Sequence, residues 1–424
     1  MIVLLLTIIL TIAVFIRKKS NTIVYLPVFL GIFSSLIFLL LEAELNITGG
    51  IFSNSILIIF ILFAISRNRK ILTMNRYIML FLIYTFFLIF LSSDIRMSFF
   101  RYLNVFIYLF MIPIGYLIIN DERKMRILNN STVALLILFL INFVLVNALK
   151  MGNTLYTSDF YMGGFAGGTL YMAAIAVAIF PYAMKKSKNN SYKIFMIFIA
   201  FFTILIIAIT LRRTAIILAL LGIIIYFFSA KKGISTFLGI IFLFIVMTYL
   251  SLPFFQKTII SRYELRQERF ESDFYEDEGR FLEYGIIFEE SLTSLNKFLI
   301  GEEIFNSAGY YADGAYGERM IHSGFPALIH GSGYIGLLLF MMIFIKLFFK
   351  YWRNRKAIKI YQLTSESQLF ISLFVLNIAL TASGALLETD TRCLLYIYLG
   401  ASLGVMEFKI KSLSSNIAQI KNQI

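Results

Sequence analysis

The polar and apolar positions of this chain are not mixed at short spacing over most of its length. Apolar residues instead fill long runs such as 194–211 and 234–252, each close to the roughly 20 residues that a membrane-spanning helix needs. Thirteen such runs can be drawn, near 1–16, 22–41, 51–65, 77–92, 99–119, 131–149, 168–184, 194–211, 214–229, 234–252, 326–349, 368–387 and 393–408. The first and third are short, so eleven to fourteen spans bracket the count. The pattern predicts an all-α, polytopic membrane helix bundle.

One interval breaks the pattern. Residues 253–325 are polar enough to leave the bilayer and divide the chain into spans one to ten over 1–252, a large loop, and spans eleven to thirteen with a tail over 326–424. In TIISRYELRQERFESDFYEDEGRFLEYGIIFEESL, apolar and aromatic residues recur every three or four positions among charges, which predicts one or two amphipathic helices lying at the interface. GEEIFNSAGYYADGAYGERM, rich in Gly, Tyr and acids, predicts irregular loop. A bland cap is one use for such a loop; a functional site is the other, because long ordered loops tend to carry function.

Composition agrees with a membrane protein: 59% of residues are hydrophobic and mean hydropathy is +0.84. The formal charge of +14 would otherwise raise nucleic acid as a partner. Its placement argues against that, because Lys and Arg cluster in alternate loops, as at 17–19, 67–76, 123–126, 185–193, 231–232 and 350–359, and in the tail. This is the positive-inside distribution, and it predicts those loops and the C-terminus in the cytoplasm. With thirteen spans the N-terminus and the large loop are then outside. Met1–Ile16 has its basic residues after the apolar run, unlike a secretory signal, and is read as a span.

Candidate chemistry is sparse. One cysteine, Cys393, excludes an internal disulfide, and with only two histidines a tightly held transition metal is not expected. The acids Asp273, Glu276, Asp277 and Glu278 could gather a hard cation, but they are read as a solvated acidic face that offsets the loop's arginines. Against the topology bias stand outer cations: Arg212 and Arg213, then Lys257, Arg262, Arg266, Arg269, Arg280, Lys297 and Arg319. In ITLRRTAIILAL, apolar helix flanks Arg212 and Arg213 on both sides, which holds two guanidiniums at the interface. Lipid headgroups can occupy such a pair, and so can a phosphate or pyrophosphate. Pro326 predicts that the eleventh span starts nearby, leaving His322 in the outer loop and His330 on the helix as a packing residue.

Several of these segments resemble the O-antigen polymerase and ligase family. LRRTAIILALLG is similar to that family's Ser-Arg-Thr/Gly-Ala opening of a span, EDEGR to the Gly-Arg of its large loop, and KFLIG to its apolar turn ending in Gly. From His322, glycines follow at eleven and fourteen residues, Gly333 and Gly336, as in the family's His-Asn/Ser segment, and GGFAGGTLYMA resembles the entry to an earlier span. The likeness covers about Gly163–Phe340. Arg212 stands at the usual Ser position and Gly167 and Gly168 at Pro-Asn.

The resemblance implies a GT-C-like fold in a bacterial inner membrane. It implies metal-independent, cofactor-free glycosyl transfer from an undecaprenyl-pyrophosphate-linked saccharide at the outer leaflet. A repeat-unit polymerase for O-antigen or capsule is the first expectation, a ligase using the same donor the second, and a flippase the third. A chain-length regulator protein is a further implied partner, besides membrane lipids. Arg213 and Arg280 would hold the pyrophosphate, with Arg212, Arg266, Arg269 and Arg319 as further substrate ligands. His322 would accept the proton of the attacking sugar hydroxyl.

Overall fold

The computed structural model describes residues 19–34, 49–150, 160–162, 169–210, 212–228, 279–314, 320–384 and 386–421. These residues form helices and connections, with no β-strand among them. In chain order the helices are α1 (Leu26–Ile32), α2 (Gly49–Arg67), α3 (Lys70–Thr73), α4 (Arg76–Ile89), α5 (Ile95–Ile118), α6 (Glu122–Leu149) and α7 (Thr169–Lys186). They continue as α8 (Asn190–Ile209), α9 (Arg213–Phe228), α10 (Gly279–Ser291), α11 (Leu295–Ile300), α12 (Gly324–Ile360), α13 (Thr364–Ser383) and α14 (Thr389–Lys421).

Six helices, among the described residues, are long and apolar enough to cross a bilayer: Ile95–Ile118, Glu122–Leu149, Asn190–Ile209, Gly324–Ile360, Thr364–Ser383 and Thr389–Ser415. Shorter apolar helices cover Thr22–Ile32, Ser53–Arg67, Arg76–Ile89 and Arg213–Phe228. The expected spans 1–16 and 234–252, and the second half of 22–41, lie outside the described residues. Several helices overrun their apolar stretch: α6 starts at Glu122 because Asp121 caps it, its carboxylate accepting the Lys124 N–H at 2.8 Å.

The scaffold closes through α5 and α14. Gly400 and Gly404 lie one helical turn apart on α14, and a Cβ on either would collide with the backbone of α5 at Ile112 or Tyr116. Gly115 of α5 meets the carbonyl of Ile397 in the same way. Small residues at this spacing let two helices approach to backbone contact, which is how helices associate without a water-driven force. At one end of the bundle the buried Glu366 of α13 accepts Lys186 of α7 at 2.6 Å and Lys409 of α14 at 2.8 Å. Glu122 of α6 joins the same two lysines. A buried carboxylate needs such compensation, so this cluster fixes four helices at the end where the basic loops lie.

The opposite end carries the loop. Helix α12 begins at Gly324, two residues before Pro326, which therefore sits in the first turn where its missing N–H costs nothing. The helix breaks at Gly333, with φ 60° and ψ −170°, a conformation open almost only to glycine. Into this break fits the end of α11: a Cβ on Gly333 would overlap the carbonyl of Leu299, and one on Gly301, at φ 79°, would reach the carbonyl of His330. The carbonyls freed by the break find donors. Glu302 N donates to His330 O at 2.6 Å, and Tyr84 Oη of α4 donates to Ser332 O at 2.9 Å and Leu299 O at 3.3 Å.

The stretch 301–314 is irregular apart from one short 3-10 turn, Ala312–Gly314, and is anchored to α5. Arg101 donates to Phe305 O at 2.8 Å and Asn306 Oδ1 at 2.9 Å, while Glu303 accepts from Ser92 Oγ and from Ser93 N. Ile287, Tyr311 and Ile321 form a small apolar core beneath the loop, packed on Ala327 and Ile329 of α12.

Gly333→Ala should lower thermal stability by about 2 kcal/mol or more, since it adds left-handed strain to a backbone clash. Gly285→Ala is the control: Gly285 has open space around its Cβ position in α10, so the change should be neutral or stabilise by up to about 1 kcal/mol. Thermal unfolding of both variants in one detergent checks the contrast; equal effects would refute the assigned role of the break.

Candidate functional site

His322 lies in the connection that enters α12, and its side chain is 47% exposed. Its ring Nδ1 meets the carbonyl of Met320 at 2.6 Å. A carbonyl only accepts, so Nδ1 carries the proton and Nε2 keeps a lone pair. Its main-chain N–H donates to Glu283 Oε2 at 3.1 Å, and Oε1 of the same carboxylate stands 3.7 Å from Nδ1. Glu283 is buried, with 1% of its side chain exposed.

Glu283 belongs to α10, whose buried positions include Glu283, Ile287 and Ser291, while Leu282 and Phe288 face outward. The part of the expected amphipathic segment before Gly279 lies outside the described residues. The inward stripe carries a carboxylate because the His322 connection supplies it with a backbone donor, and apolar side chains take the outward face, where an interfacial helix meets lipid. Arg280 is the second residue of α10, one turn before Glu283. Thus α10 links the Gly-Arg motif to the histidine motif, which are separated by about forty residues of chain.

The same end of the bundle holds Arg212 and Arg213. Arg213 opens α9 and is exposed, and Arg212 is half-buried. Helix α9 packs on α7 and α13, where Ser372 of α13 donates to the carbonyl of Gly222 at 2.8 Å. The far end of α13 reaches toward His322: Tyr284 of α10 donates to Ala382 O at 2.9 Å, and Gly324 lies against the carbonyl of Thr381. Arg266, Arg269 and Arg319, together with the acids Asp273 to Glu278 and the segment 163–168, lie outside the described residues.

Three charged residues at this end escaped the sequence reading. Arg392 of α14 is fully buried, its Nη1 donating to Tyr396 Oη at 3.1 Å and Thr381 Oγ1 at 3.3 Å beneath the Tyr108 ring. Asp390 accepts from Ser34 Oγ at 3.2 Å. Glu388, in the connection from α13 to α14, feels both Arg392 and Arg212. Burial, with Asp390 beside it, raises its carboxyl from 4.5 to about 7 against the pull of those two arginines. The signal was present in LLETDTR, an outer cation pressed against an apolar run as in LRRTAI.

His330 is buried in α12, edge-on to Tyr311 with ring centroids 6.3 Å apart. Its Nε2 has no hydrogen-bond partner among the described residues. Among those residues no cluster of three or more His, Cys, Asp or Glu is arranged for a metal ion. No family model and no curated protein matches the chain. The likeness to O-antigen polymerases and ligases therefore rests on the quoted motifs alone.

Glu388 gives a pH signature with a definite sign. Unfolded, its carboxyl loses its proton near 4.5; folded, near 7. Between those values the native state holds a proton that the unfolded chain has released, so stability falls as pH rises through the window. Glu388→Gln should flatten the fall in Tm between about pH 5 and pH 8, measured by unfolding scans in matched buffers.

Proposed function

We propose that this chain is a polysaccharide repeat-unit polymerase of the O-antigen or capsule type. It transfers glycan from an undecaprenyl-pyrophosphate carrier to the next lipid-linked unit at the outer face of a bacterial inner membrane. On this reading the bundle has thirteen spans and is GT-C-like, the 253–325 loop is outside, and the C-terminus is cytoplasmic. The observation that carries it is the contact of Glu283 with His322, because it seats an exposed imidazole on the helix that Arg280 leads.

The chemistry follows from these groups. Breaking the bond from sugar to pyrophosphate leaves about two negative charges on the leaving group, and fixed cations aimed there lower the barrier more than they favour the ground state. Arg213 and Arg280 supply that charge, with Arg212 beside them. The hydroxyl of the acceptor sugar gives its proton to Nε2 of His322, a contribution of roughly 10² to 10⁴ in rate. Leu282 and Phe288 of α10 and Ile335 and Leu338 of α12 are exposed apolar side chains, suited to a carrier lipid.

The test is the length ladder of surface glycan in cells expressing each variant at equal level. Arg213→Ala, Arg280→Ala and His322→Gln should each abolish long chains, whereas His330→Gln should weaken them far less. Single repeat units left in a deletion strain support the polymerase. Long chains stranded on the carrier point to the ligase, and material trapped inside points to a flippase; either outcome refutes the polymerase.

A further inference from the structure

We propose that Glu283 is the positioning residue of His322: its carboxylate fixes the histidine's backbone and supplies the counter-charge for the imidazolium formed during transfer. The inference rests on the reading of His322 as the base and adds the group that sets its state.

The geometry is specific on three counts. A carboxylate that is almost wholly buried is costly unless its oxygens are engaged. Here one oxygen accepts the His322 N–H at 3.1 Å, and the other stands 3.7 Å from Nδ1, too far to compete for its proton. That proton goes to the Met320 carbonyl at 2.6 Å, which leaves Nε2 as the nitrogen of the neutral ring that can accept a proton. The Met320 side is itself held, because Arg101 reaches its Sδ at 3.1 Å while gripping Phe305 and Asn306. Backbone and counter-charge are therefore set by Glu283, and the tautomer by the Met320 carbonyl.

The step balances within this frame. The acceptor hydroxyl oxygen forms its bond to the anomeric carbon, and the bond from that carbon to the pyrophosphate oxygen breaks with its electron pair leaving on oxygen. The hydroxyl proton moves to Nε2, and the Nδ1 proton stays on the Met320 side. The ring becomes a cation beside an anion already in place, which requires no reorganisation. Glu283 touches neither sugar nor pyrophosphate in this scheme. Other charged or titratable groups on the elements around the connection include Arg280, Tyr284, Glu289 and Glu290 on α10, Arg101 on α5, His330 on α12 and Arg392 on α14.

The chain has only two histidines, which makes the test direct. The full-length protein, labelled with ¹⁵N-histidine in lipid nanodiscs, is titrated by NMR, and the His322→Gln spectrum identifies the signals of His330. Glu283→Gln keeps an oxygen for the His322 N–H but removes the charge. It should move the His322 titration to lower pH and shorten the glycan ladder about as strongly as a 10- to 100-fold loss of rate. Added to His322→Gln, it should have no further effect. An unmoved titration overturns the proposal, even if the ladder is lost, since that marks a merely structural role. A titration that moves while His322→Gln leaves glycan length intact overturns instead the transferase reading on which the proton-transfer role rests.

Discussion

The end of the bundle that carries His322 depends on one constraint, the break of α12 at Gly333 and its filling by the turn at Leu299–Gly301. A continuous helix would have no free carbonyl there and no room for a second backbone. The break provides both, and the turn, Tyr84 and Glu302 use them. Once this turn is fixed, Glu303, Ile304 and Phe305 reach Ser92, Ser98 and Arg101. A loop of this length would otherwise have to be ordered by contacts of its own, which its small core of Ile287, Tyr311 and Ile321 could hardly supply alone.

Two kinds of order meet at the site. The bundle beneath is closed by small residues and by compensated charge, Gly400 and Gly404 against α5 and Glu366 between two lysines at the basic end. The loop above is held mostly by side chains bonded to backbone: Arg101 to Phe305, Ser98 to Ile304, Glu283 to His322. Bonds of that kind fix the path of a chain without demanding regular structure, and they keep polar groups satisfied where water is partly excluded.

What could be read from the chain divides along the same line. Apolar runs made the helices legible, and Pro326 marked the start of α12. The partners could not be read. Glu283 looked like any solvated acid in an amphipathic stretch, because its reason for facing inward is a backbone N–H thirty-nine residues away. Arg101 and Phe305 are separated by 204 residues, and no local pattern records such a pairing. Arg392 was legible in principle, by the reasoning applied to Arg212 and Arg213.

The seam between α5 and α14 also bears on how the protein is made. Its two sides leave the ribosome almost three hundred residues apart, so α5 waits in the membrane with an open groove until the last helix is inserted. Arg212, Arg213, Arg280, Glu283 and His322 all emerge in that interval. Arg392 arrives only with α14, and the polar group of Thr381 stays without that guanidinium until then. Assembly of the charged end and closure of the bundle are therefore one event, and a nascent chain that has not yet inserted α14 has neither.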